Sequence, residues 1–127
     1  MFQARTTETE DKPAFYRDLT QQLEGLLHGE HDAIANAANT AALLFTTLPD
    51  LNWAGFYFLR QPDELVLGPF QGKPACVRIA VGRGVCGAAV KERRTMLDAP
   101  IPSRFNADDQ RGIEAIAALY MKASDPL

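Results

Sequence analysis

The chain has 127 residues, 46% of them apolar and 23% charged, with a net charge of -3. That length can bury one core without metal or disulfide staples, and the composition lies away from the disordered range. The charge balance offers no basic footprint for nucleic acid, and no apolar run is long enough for a membrane span or a signal peptide. The expected setting is therefore cytoplasmic, with neither nucleic acid nor membrane as partner.

Residues 1–12 are polar and read as a frayed leader, leaving 13–127 as a single domain. Pro13 suits a first helical turn, and Phe15, Leu19, Leu23, Leu26 and Leu27 follow at the spacing of an amphipathic helix. Gly29 breaks that pattern. Asp32 can cap a second helix whose predicted stripe is Ile34, Ala37, Ala41, Leu44, Phe45 and Leu48, ended by Pro49-Asp50. The period then changes. Trp53 to Leu59 reads as a strand, Gln61-Pro62-Asp63 as a turn, Glu64 to Phe70 as the returning strand of a hairpin, and Ala75 to Val81 as a third strand. Gly82-Arg83-Gly84 leads into a short helix from about Val85 to Glu92, and another strand is expected near Thr95. Leu97-Asp98 then runs into Ala99-Pro100-Ile101-Pro102, whose two prolines forbid a central strand. Asn106 can cap a last helix with Asp108 and Asp109 in its first turn and Ile113, Ile116, Ala117 and Tyr120 along its stripe. Three strands are few to be covered by that many helices.

The chemistry-bearing residues are sparse. The two cysteines, Cys76 and Cys86, form no C-x-x-C motif, and a permanent disulfide is not their expected use in a reducing compartment. His28 and His31 are far from both, so no metal site is expected. Gly82, Gly84 and Gly87 match G-x-G-x-x-G, but the repeated βαβ pattern of a nucleotide-binding fold is lacking, which makes them turn glycines. Cys86 sits near a predicted helix N-terminus, where a thiol can be acidified, yet for an isolated cysteine packing in the turn is the better reading. Trp53, Gly55 and Tyr57 share one strand face, and Ala54, Phe56 and Phe58 the other. Such aromatics are usually core; beside a glycine they can also wall a small-ligand pocket.

Taken in order, Asn39-Thr40-Ala41-Ala42-Leu43-Leu44, Asn52-Trp53-Ala54-Gly55-Phe56-Tyr57, Leu65-Val66-Leu67-Gly68-Pro69-Phe70-Gln71-Gly72, Ala75-Cys76-Val77-Arg78-Ile79 and Gly82-Arg83-Gly84-Val85-Cys86-Gly87 closely resemble the free methionine-(R)-sulfoxide reductases. The likeness covers about Phe15 to Met96 and resumes at Leu97-Asp98. It implies an α+β GAF fold, an antiparallel sheet with helices on one side and a small pocket on the other. It also implies an enzyme that reduces free methionine-(R)-sulfoxide by cysteine thiol/disulfide chemistry, with thioredoxin and NADPH as external reductant and no bound cofactor. By the same resemblance Cys76 is the resolving cysteine, Cys86 an additional thiol, Trp53 and Tyr57 the aromatic wall of the substrate site, and Asp98 an acid that holds the substrate amino group. A homodimer is compatible with it.

One departure is large. Between Met96 and Leu97 the family has further strands and a loop bearing the nucleophilic cysteine, a stretch on the order of 35 residues. The sheet is then incomplete and the nucleophile absent, so the 127-residue chain is expected to be catalytically impaired. The alternative is a non-catalytic GAF module that binds a small molecule.

Overall fold

The computed structural model describes residues 11–82 and 106–127. Its elements are α1 (Lys12–Leu27), α2 (Ala33–Thr47), β1 (Trp53–Gln61), β2 (Glu64–Gly72), β3 (Arg78–Ala80) and α3 (Ala107–Ala123). Three expected features lie outside the described residues: the helix near Val85, the strand near Thr95 and the Met96–Leu97 junction. So do Gly84 and Gly87, and the two prolines Pro100 and Pro102.

Each helix starts where a side chain can satisfy its free backbone N–H groups. Asp11 accepts from the Ala14 N–H at 3.1 Å, and Asp32 from the Ala35 N–H at 2.8 Å. Asn106 and Asp109 cap α3 reciprocally, each side chain taking the other's backbone N–H. The polar leader thus yields to structure before its expected end, since Asp11 is a cap and Lys12 the first residue of α1. After α1, Gly29 turns the chain with a φ of 77°, in the left-handed region that glycine occupies without a Cβ penalty.

Phe15, Leu19, Leu23 and Leu27 of α1 are buried as predicted and pack with Tyr16, Leu43, Leu48, Ile113 and Ile116 in one cluster. The reading of α2 needs correction. Ile34 is 45% exposed, and the buried positions are Ala33, Asn36, Ala37, Thr40, Ala41, Leu43 and Thr47. The helix packs against β1 and β2 as well as the other two helices, and Leu43 belongs to the helical cluster. A hydrophobicity count overlooks a face made of alanine, threonine and asparagine.

The three strands form an antiparallel sheet in the order β1-β2-β3. Pro62 and Asp63 make the hairpin turn, with Gln61 opposite Glu64. Two irregularities follow, one that places an extra residue in β1 at Arg60 and one that places an extra residue in β2 between Leu67 and Phe70. Pro69, which has no N–H to donate, falls in the second, the kind of position a strand proline tolerates. The third strand is shorter than expected, though Leu67 N to Val77 O at 2.8 Å and Val81 N to Asp63 O at 3.0 Å extend its pairing at both ends. The result is an α+β domain with its sheet laid on α2. No helix among the described residues is long and apolar enough to cross a membrane.

Candidate functional site

Strand alternation divides the aromatics of β1 between two faces. Phe56 turns to the helices, its ring centroid 4.5 Å from that of Tyr120 in α3. Trp53 and Tyr57 turn the other way and stack on each other at 5.7 Å with an interplanar angle of 28°. Phe70, opposite Gly55 on β2, joins them by stacking on Trp53 at 5.5 Å and 19°. All three rings are half-buried.

Gly55 makes this stack possible. A Cβ there would lie 2.3 Å from Phe70 Cβ and 2.8 Å from the Trp53 ring. The space beside the glycine is thus filled by the two rings, and what the missing side chain permits is their close approach. The edge-on indole nitrogen of Trp53 is buried, with no hydrogen-bond partner among the described residues.

Cys76 adjoins this surface. The Tyr57 hydroxyl donates to the Cys76 carbonyl at 2.6 Å, and Cys76 itself is an exposed free thiol. The structure therefore brings together three of the five residues singled out in the sequence: Trp53, Tyr57 and Cys76. The other two, Cys86 and Asp98, lie outside the described residues. His28 and His31 are exposed at the α1–α2 turn, away from these rings in the chain. Among the described residues no group of three or more His, Cys, Asp or Glu side chains could hold a metal ion.

Phe70 is the contributor that the sequence reading passed over. The two irregularities of the hairpin cancel, so a register counted straight from the Pro62-Asp63 turn would already have set Phe70 opposite Gly55. A glycine facing an aromatic residue across a strand pair is the signal that could have found it.

What the surface can do chemically follows from its parts. Stacked rings offer an apolar wall with electron-rich faces, suited to a small apolar or thioether-like group. The exposed thiol of Cys76, a residue tied to this surface through its carbonyl, can take part in thiol–disulfide exchange.

No family model matches the chain. Its sequence is 60% identical over 80 residues to the free methionine-R-sulfoxide reductase of Escherichia coli (strain K12), a match covering 63% of this chain and 48% of that protein. The chain spans about half the length of the curated relatives it matches. The fold superposes on free methionine-R-sulfoxide reductase from Neisseria meningitidis in complex with its substrate with a TM-score of 0.85 and 30% identity, over 97% of this chain and 95% of that one. A solved GAF domain superposes with a TM-score of 0.77 at 26% identity, over 96% of this chain and 94% of that one.

Proposed function

Since the chain belongs to the free methionine-R-sulfoxide reductase family and carries its GAF fold, we propose that it serves the reduction of free methionine-(R)-sulfoxide. The Trp53–Tyr57–Phe70 face is the wall for the methyl and sulfoxide end of the substrate. Cys76 is the resolving thiol, Cys86 an additional one, and Asp98 a partner for the substrate amino group. The observation that carries this reading is the pairing of a ring stack with a thiol segment through the Tyr57 hydroxyl.

A cysteine thiolate attacks the sulfoxide sulfur, the oxygen passes to the cysteine as sulfenic acid, and methionine leaves. The resolving thiol displaces that hydroxyl as water and forms a disulfide, which the thioredoxin dithiol reduces with NADPH as the electron source. This requires a nucleophilic cysteine beside the rings. In our reading it belongs to a stretch that this chain lacks between Met96 and Leu97, so the 127 residues bind substrate better than they turn it over. The setting is the cytoplasm, where thioredoxin operates, and a homodimer is compatible with this reading.

A second reading is a binding module without turnover. It is favoured by the count of cysteines, two in all, neither of which is placed as the nucleophile. Thioredoxin-coupled NADPH oxidation with free methionine-(R)-sulfoxide, run beside calorimetric titration of the same ligand, separates the readings. Binding of the R epimer in preference to the S epimer, with little or no turnover, supports the proposal for this chain, and binding that does not distinguish the epimers supports the second reading; multiple turnover would show that Cys76 or Cys86 is the nucleophile. Absence of both from a folded chain would overturn the assignment of the ring face.

A further inference from the structure

Tyr57 does two things at once. Its ring stacks on Trp53, and its hydroxyl reaches the main chain at Cys76. Tyr57 lies on β1, whereas Cys76 lies in the link that leads from β2 into β3. Tyr57 pairs with Leu67 of β2, and the Leu67 N–H donates to the Val77 carbonyl beyond it. From Tyr57 to the Cys76–Val77 segment is therefore a crossing of two strand spacings, roughly 10 Å. Tyrosine can span that distance with a polar tip, whereas serine or threonine is too short and phenylalanine has nothing to donate.

The segment needs an anchor there. Residues 73–76 join β2 to β3, and Lys73, Pro74 and Cys76 are exposed. Regular β3 does not begin until Arg78. Pro74 has no N–H with which to pair.

We infer that Tyr57 is a positioning residue for Cys76: its hydroxyl, bonded to the Cys76 carbonyl, holds the thiol-bearing segment against the aromatic face. The inference deepens the proposed reductase reading, on which its purpose rests, because a resolving thiol must stay close to the ring-bound substrate. A ligand pressed on the Tyr57 ring bears, through one side chain, on the main chain of the thiol.

The test needs no substrate. In the 127-residue chain carrying Cys86→Ser, the Tyr57→Phe substitution removes the hydroxyl and keeps the ring. Exchange of the Leu67 N–H, which is paired to the Val77 carbonyl of that segment, is expected to rise about five-fold, the scale of one lost hydrogen bond. A nitroxide attached to Cys76 should give narrower spectral lines, and Trp53 fluorescence should stay unchanged because the stack persists. Unaltered exchange and unaltered nitroxide mobility would overturn the inference. So would a rise spread evenly over β1 and β2, which would mean that the hydroxyl supports the sheet rather than the Cys76 segment. Either result leaves the reductase reading standing, and failure to bind methionine-(R)-sulfoxide would leave the tether standing.

Discussion

The Tyr16 hydroxyl donates to Asp109 Oδ1 at 2.7 Å, joining α1 to the first turn of α3 across 93 residues of chain. Lys12 Nζ reaches the other oxygen at 2.5 Å and the Asn106 N–H reaches it at 2.9 Å, so a carboxylate only 2% exposed is fully engaged. Asp109→Asn keeps the shape but removes the charge these donors face. Hydrogen bonds to a charged group contribute about 1.5–3 kcal/mol each, and loss of the set should cost roughly 2–4 kcal/mol once the partial exposure of Lys12 is discounted. A urea midpoint unchanged from the parent chain would contradict this.

The same carboxylate gives the fold an acid limb. Burial raises its pKa, but Lys12, the Asn106 N–H and the Tyr16 hydroxyl outweigh that and hold it below its ordinary value of 3.8. A group depressed on folding contributes fully above its unfolded value and loses the contribution as pH falls through the folded one. The stability gap between the parent chain and Asp109→Asn should therefore be flat at neutral pH and close as the pH drops below about 4. A gap that widened in acid would reverse the sign.

Two glycines in helices should respond oppositely to alanine. Beside Gly112 in α3, a Cβ would lie 2.1 Å from the Tyr16 ring, whereas nothing stands within 4 Å of Gly25 in α1. Gly112→Ala should destabilise by about 1–3 kcal/mol through overpacking. Gly25→Ala should stabilise by about 0.5–1 kcal/mol through the lower entropy of the unfolded chain. Thermal melts of the two variants decide it.

Thr40 is 1% exposed, and its hydroxyl has no hydrogen-bond partner among the described residues. Thr40→Val exchanges that hydroxyl for a methyl of like shape. It should leave stability unchanged or raise it by up to about 1 kcal/mol. A loss beyond about 1 kcal/mol would reveal a partner for the hydroxyl.

Turnover offers a sharper test of Cys76. In a chain that carries the nucleophilic cysteine as well, Cys76→Ser should release one methionine per site and then stall as a sulfenic acid that a dimedone probe captures. Continued cycling with thioredoxin would remove Cys76 from the resolving role.

Much of this protein is legible from one-dimensional signals. The caps at Asp32 and Asn106, the apolar spacing of α1 and α3, and the Pro62-Asp63 turn are all local, because backbone geometry and side-chain reach set them within a few residues. The opposing faces of Trp53 and Phe56 follow from the two-residue period of a strand, and the family resemblance rests on motifs read in order. Other features depend on what stands beside a residue in space. Ile34 is exposed and Asn36 buried because α2 is flanked on two sides, a circumstance its own sequence does not carry. Phe70 enters the stack through pairing with Gly55, and Asp109 is more than a cap because Lys12 and Tyr16 arrive from the far end of the chain. Tyr57 meets Cys76 only when three strands are laid side by side. Periodicity records which way a side chain points, and tertiary packing alone decides what it meets there.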